Sequence, residues 1–147
     1  MKILVALDDS PYSERVLESL TRRKFAASTQ LKLLTVIEPL PEEVDHKITQ
    51  THQINEGRKN AARKLLEKSR EALANKLPDR NVHFEIREGD PREQIIDCAS
   101  EWNASLILIG AHGHGLCPTH HLSDHVGSVS RDVASNANCS VEVVRVR

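Results

Sequence analysis

Five short apolar runs recur along the 147 residues of this chain, at 2–7 (KILVAL), 31–37 (LKLLTVI), 82–87 (VHFEIR), 106–109 (LILI) and 141–146 (VEVVRV). Polar stretches with helical periodicity separate them. The run at 2–7 has no polar alternation, the pattern of a strand buried on both faces in a parallel sheet. The run at 82–87 does alternate, with Val82, Phe84 and Ile86 on one face. Strands alternating with helices imply right-handed crossovers and a parallel sheet covered on both sides, an α/β three-layer sandwich. Ligands of such sheets bind beyond the carboxyl ends of the strands, where the strand order reverses.

The segments between the runs carry helix signals. Ser10 reads as an N-cap and Pro11 as the first helical residue, ahead of a stripe of Val16, Leu17 and Leu20 opposed by Arg15, Glu18 and Arg22. Residues 39–53 are polar and proline-bounded, and are expected to be irregular. A charged helix is expected over 54–77, with Ala61, Ala62, Leu65, Leu66, Leu73 and Leu77 recurring on it. Its Glu/Lys-rich side reads as a solvated face. In GDPRE at 89–93, Asp90 is the expected N-cap, Pro91 the first helical residue and Glu93 the partner in a capping box. Ile95, Ile96, Ala99 and Trp102 form the stripe of that helix, and a fourth helix begins near Gly127.

Length predicts one domain over 1–147, large enough to bury a core. Twenty Lys and Arg against twenty-one Asp and Glu leave no basic footprint for a nucleic acid. No apolar run approaches the roughly 18 residues of a membrane span. The first apolar run is short and soon acidic, unlike a secretory signal. Cys98, Cys117 and Cys139 form no CxxC and are odd in number, which argues against a disulfide framework. A soluble, cytoplasmic protein is the expectation.

Unusual residues gather after the first and fourth runs, at Asp8-Asp9-Ser10 and over 110–128 (GAHGHGLCPTHHLSDHVGS). A glycine-rich turn between a buried strand and a helix start presents backbone N–H groups that hold phosphate. There is no GxxxxGK[ST], so the turn is not a P-loop. The dinucleotide fingerprint also fails, because Gly113-His114-Gly115 lacks its third glycine. Asp8 and Asp9 offer a carboxylate pair for Mg2+, although strand-end acids often only orient ligands.

The chain resembles the single-domain members of the universal stress protein family. The resemblance rests on ILVALD (3–8) with Ser10, EGDPREQII (88–96), ASLILIGAHG (104–113), and GSVS (127–130) with CSVEVV (139–144), which run in the family's order. It implies a five-stranded parallel sheet in the order 3-2-1-4-5, Rossmann-like and of the adenine nucleotide alpha hydrolase-like kind. It also implies homodimers formed through the last strand, at 141–146. Many members bind ATP through Gly, two residues, Gly, nine residues, then Gly-Ser or Gly-Thr; others lack the pattern and do not. Carried over by position, Ala6, Leu7 and Asp8 would face the adenosine and Val36 would line the adenine pocket. Gly110 and Gly113 would admit ribose and phosphates, and Gly127, Ser128 and Val129 would hold phosphate. The role implied is regulatory, with ATP and Mg2+ bound and hydrolysis slow at most, since no water-activating base or arginine finger is evident. No partner protein is named by any of these residues.

Two features depart from the family pattern. Thirteen residues, not nine, separate Gly113 from Gly127, and Asp9 stands where a glycine usually follows the aspartate. The stretch 112–125 holds His112, His114, His120, His121 and His125, five of the eight histidines, together with Cys117. Three readings stay open for it. His114, Cys117, His120, His121 and His125 could hold a transition metal, Zn2+ foremost. His112 and His114 could donate to nucleotide phosphates, or the segment could be a solvated loop that tolerates histidine. A further alternative is a dimeric interaction protein whose cleft takes no nucleotide.

Overall fold

β1 (Lys2–Ala6) pairs in parallel with β2 (Gln30–Ile37) on one side and β4 (Leu106–Gly110) on the other, so its apolar run meets protein on every side. The structure is a computed structural model describing residues 1–8, 10–39, 48–112 and 126–145. β3 (Val82–Glu88) pairs with β2, and β5 (Ser140–Val144) with β4, all parallel, giving the order β3-β2-β1-β4-β5. This is the order that the resemblance implied.

Helices cover both faces. α1 (Pro11–Thr21) and α2 (Ile48–Leu73) place Val16, Leu20, Leu66 and Leu73 on one face of the sheet, against Ile3, Val5, Leu31, Leu33 and Leu108. α3 (Pro91–Trp102) and α4 (Ser128–Asn136) place Ile95, Cys98, Ala99 and Val133 on the other, against Leu4, Leu34, Ile107 and Ile109. The crossovers switch faces because β1 to β3 step one way across the sheet and β4 to β5 step the other way. Between β1 and β4 the direction reverses, and a crevice opens there.

Local expectations needed four corrections. α2 already includes residues 48–53, expected to be irregular, because extending a nucleated helix is cheap. It ends at Leu73, not Leu77. A short 3-10 turn over Asp79–Asn81 follows, while Leu77 stays buried with its N–H on the Leu73 carbonyl at 3.4 Å. Ser10 occupies the N-cap position of α1, but its side chain makes no capping bond. Asp90 caps α3 by accepting from the Arg92 N–H at 2.8 Å, and no return bond from Glu93 forms among the described residues, so only half of the capping box is made. Cys139 is half-buried, and β5 ends at Val144. Residue 146, placed in that strand from the sequence, lies outside the described residues.

Candidate functional site

A cleft of about 390 Å³ opens at the carboxyl ends of β1, β2 and β4. It is lined by Ala6, Leu7, Asp8, Val36, Gly110, His112, Gly127, Ser128 and Val129, so every described residue assigned to the site from sequence borders one cavity. Gly113, His114, Cys117, His120, His121 and His125 lie outside the described residues, as does Asp9. Among the described residues no three His, Cys, Asp or Glu side chains converge on a metal position.

The sheet itself makes the gap. The Leu7 N–H donates to the Leu34 carbonyl at 2.8 Å, and no further backbone rung joins this segment to β2 among the described residues. Peptides alternate sides along a parallel strand. Ile37 offers its carbonyl to Gly89 at 3.0 Å on the β3 side, so the N–H and C=O of Val36 face the side that β1 has left. An unpaired peptide at a strand end is a ready donor and acceptor for a planar heterocycle.

Asp8 follows β1 and is held rigidly. Its Oδ1 accepts from the Ser10 N–H at 2.9 Å and from Ser13 Oγ at 2.9 Å, while its own N–H donates to Ser13 Oγ at 2.7 Å. The carboxylate thus ties the Ser10 N–H and the Ser13 hydroxyl together ahead of α1, while the Ser13 N–H donates to the Ser10 carbonyl at 3.1 Å. Oδ2 is left without a partner among the described residues.

The two described glycines have steric roles. A Cβ on Gly110 would sit 2.9 Å from Tyr12 Cβ, so the first turn of α1 lies directly on the end of β4. A Cβ on Gly127 would sit 2.9 Å from the Ala111 carbonyl oxygen, to which the Gly127 N–H donates at 2.7 Å. That bond pins the start of α4 to the end of β4. It also engages the Gly127 N–H itself. The donors left are those of Ser128, Val129 and Ser130, which have no acceptor within the helix. They coincide with the positive end of the helix dipole.

Several residues in or beside the cleft were not assigned to it from the sequence. Ser130 Oγ donates to the Gly110 carbonyl at 2.6 Å and fixes α4 against β4. Arg92, at the start of α3, donates to Ser128 Oγ at 3.1 Å and lies 2.8 Å from the Asp132 carboxylate, putting a cation beside the α4 start. Arg58 of α2 lines the cleft and donates to the Glu38 carbonyl. Thr35 lines it too. His112 is 7% exposed, stacks edge-on against Tyr12 at 5.1 Å, and its Nδ1 has no hydrogen-bond partner among the described residues. Apart from His112, which the sequence itself singles out, each is set by contacts between distant segments, which residue spacing does not encode.

Away from the cleft, Glu85 accepts from Lys32 at 2.9 Å and also from Arg87, which reaches Glu101 at 2.6 Å. Burial works to raise the Glu85 carboxyl, but the two cations outweigh it and hold the group below the usual carboxylate range. Cys98 lies against this carboxylate, and burial together with that charge pushes its thiol up to about 11. It is a packed thiol, not a nucleophile. Trp102, read as core, is half-buried under the ammonium groups of Lys2 and Lys32 at 5.3 and 5.1 Å from its ring.

Comparison with known proteins agrees with the fold. The model of the universal stress protein family matches residues 1–145. Universal stress protein A homolog 2 of Coxiella burnetii is 27% identical over 148 residues, 99% of this chain and 95% of that protein. The universal stress protein UspA from Lactobacillus plantarum superposes with a TM-score of 0.79 at 23% identity, covering 99% of this chain and 97% of its own. A universal stress protein solved in complex with cAMP superposes with a TM-score of 0.64 at 20% identity, over 99% of this chain and 96% of that one. Because the family match over residues 1–145 takes in every strand and helix described here, the chain belongs to the universal stress protein family.

Proposed function

We propose that this stress protein is a regulatory nucleotide-binding protein that takes ATP with Mg2+ in the cleft between β1 and β4. One observation carries the reading. Among the described residues the peptide edge at Val36 and the N–H groups at the start of α4 have no backbone partner, and Val36, Ser128 and Val129 line the same cleft of about 390 Å³, one end suited to a base and the other to phosphate. Such a volume lies within the usual range for small-molecule sites, roughly 300–1,000 Å³. His112 lines the same cleft, and its Nδ1 has no hydrogen-bond partner among the described residues. The complex of a fold relative with cAMP supports an adenine nucleotide as the ligand class. Asp8 Oδ2, without a partner among the described residues, would be the carboxylate oxygen available to Mg2+ bound with the triphosphate. Occupancy of the site is what partners would read.

Calorimetric titration with ATP, AMP and adenosine, with and without Mg2+, tests this. Saturable binding with ATP tighter than adenosine is the expected result. No heat and no protection from thermal unfolding at millimolar nucleotide would remove the proposal. Dimerisation through β5 belongs to the same reading, because β5 is an edge strand whose Val141, Val143 and Val144 are only half-buried. Light scattering at working concentration should give twice the chain mass, and a monomer would refute it.

A further inference from the structure

The residues of β2 facing α1 and α2 are Leu31, Leu33, Thr35 and Ile37, three aliphatic side chains and one hydroxyl. Thr35 is only 6% exposed, and its Oγ1 has no hydrogen-bond partner among the described residues. A buried hydroxyl without a partner is destabilising, and valine would fill the same shape without that cost. The position of Thr35 shows where a partner would come from. It lines the cleft beside Val36, as do Ala62 and Leu65 of α2, on β2 and so separated by β1 from β4 and the α4 start.

We infer that the Thr35 hydroxyl is a specificity-determining group that hydrogen-bonds the base of the bound nucleotide. The inference rests on the nucleotide reading above and adds to it a side-chain contact at the base end. A hydroxyl both donates and accepts, so it matches either kind of polar atom on the edge of a nitrogen heterocycle. The surrounding wall is apolar, which suits the faces of the ring and strengthens the single polar contact. Because Thr35 is at the base end, its effect is independent of the number of phosphates.

The test is Thr35→Val beside Thr35→Ser, each titrated with ATP, adenosine and inorganic tripolyphosphate and each melted without ligand. Thr35→Val should bind ATP and adenosine about three- to tenfold more weakly by the same factor, and tripolyphosphate as the wild type does. Its ligand-free melting temperature should rise by about 3 °C, since an unsatisfied buried hydroxyl is gone. Thr35→Ser should keep wild-type affinity within about twofold. Opposite signs on stability and affinity are the signature that packing alone does not produce. A Thr35→Val protein that loses both, or binds as the wild type does, overturns the inference and leaves nucleotide binding intact. A Thr35→Ser protein that binds as weakly as Thr35→Val assigns the effect to the lost methyl and also overturns it. A wild type that takes up neither ATP nor adenosine removes both readings together.

Discussion

Replacing Gly110 by alanine separates two roles for this residue that the sequence alone merges. If the glycine serves only to admit ligand, the empty protein should not notice a methyl group. The structure places that methyl 2.9 Å from Tyr12 Cβ and 3.6 Å from the Tyr12 carbonyl carbon. Ordinary carbon contacts lie at about 3.5–4.0 Å, so the first turn of α1 must retreat by roughly 0.6–1 Å. Neither atom is the far end of a flexible side chain, and Asp8, Ser10 and Ser13 are hydrogen-bonded into that same turn. Overpacking of this kind costs about 1–3 kcal/mol. Urea unfolding of the ligand-free protein should show it as a midpoint lower by about 1 M at an unchanged slope. The strain comes from one pair of atoms, so Gly110→Ala and Tyr12→Gly should be non-additive, the double variant losing at least ~0.5 kcal/mol less than the sum. A ligand-free Gly110→Ala protein within ~0.5 kcal/mol of wild type, or strict additivity in the cycle, would refute the steric argument.

Three further outcomes follow from contacts outside that turn. Arg92→Gln should weaken ATP by about three- to tenfold while leaving adenosine within about twofold, because the cation sits beside the phosphate end only; equal losses on both ligands would contradict this. The Glu85 carboxyl is held below its unfolded value, so its stabilisation is complete above the unfolded pKa and is lost as pH falls through the folded one. Glu85→Gln should therefore flatten the decline in stability between about pH 5 and pH 3, measured by denaturation at each pH. The Cys98 thiol, raised to about 11, stays neutral in the folded protein while the unfolded chain ionises near 9, so stability should fall as pH rises from about 9 to 11. Cys98→Ala should lack that loss, and rapid alkylation of native Cys98 at pH 8 would contradict its packed state.

The strands were legible because each is a local apolar run, and burial on both faces leaves no polar residue to interrupt it. Val16 and Leu20, spaced four apart, announced the buried side of α1 in the same way, and Asp90-Pro91 announced the start of α3. The beginning of α2 was not legible. Residues 48–53 carry no apolar stripe, and their helicity is borrowed from the turns that follow. Ser10 misled because serine at an N-cap is the common case, whereas here the Ser10 side chain makes no capping bond and the Ser13 N–H donates to the Ser10 carbonyl instead. In the cleft, Asp8, Gly110 and Ser128 could be located by their place after strands. Thr35, Arg58, Arg92 and Ser130 could not, since each acquires its role only when distant segments meet. The strand order came from resemblance, because the apolar runs do not say which runs are neighbours.

The bond between Gly127 and Ala111 has a consequence for chain length. With donor and acceptor 2.7 Å apart, the start of α4 is fixed by β4 and by Ser130, whatever number of residues intervenes. Lengthening a closed segment from nine residues to thirteen costs only about 0.3 kcal/mol in closure entropy, less than one ordinary hydrogen bond. The fold thus has a port at this point, where sequence can be added, removed or exchanged without moving the sheet, the helix or the cleft between them.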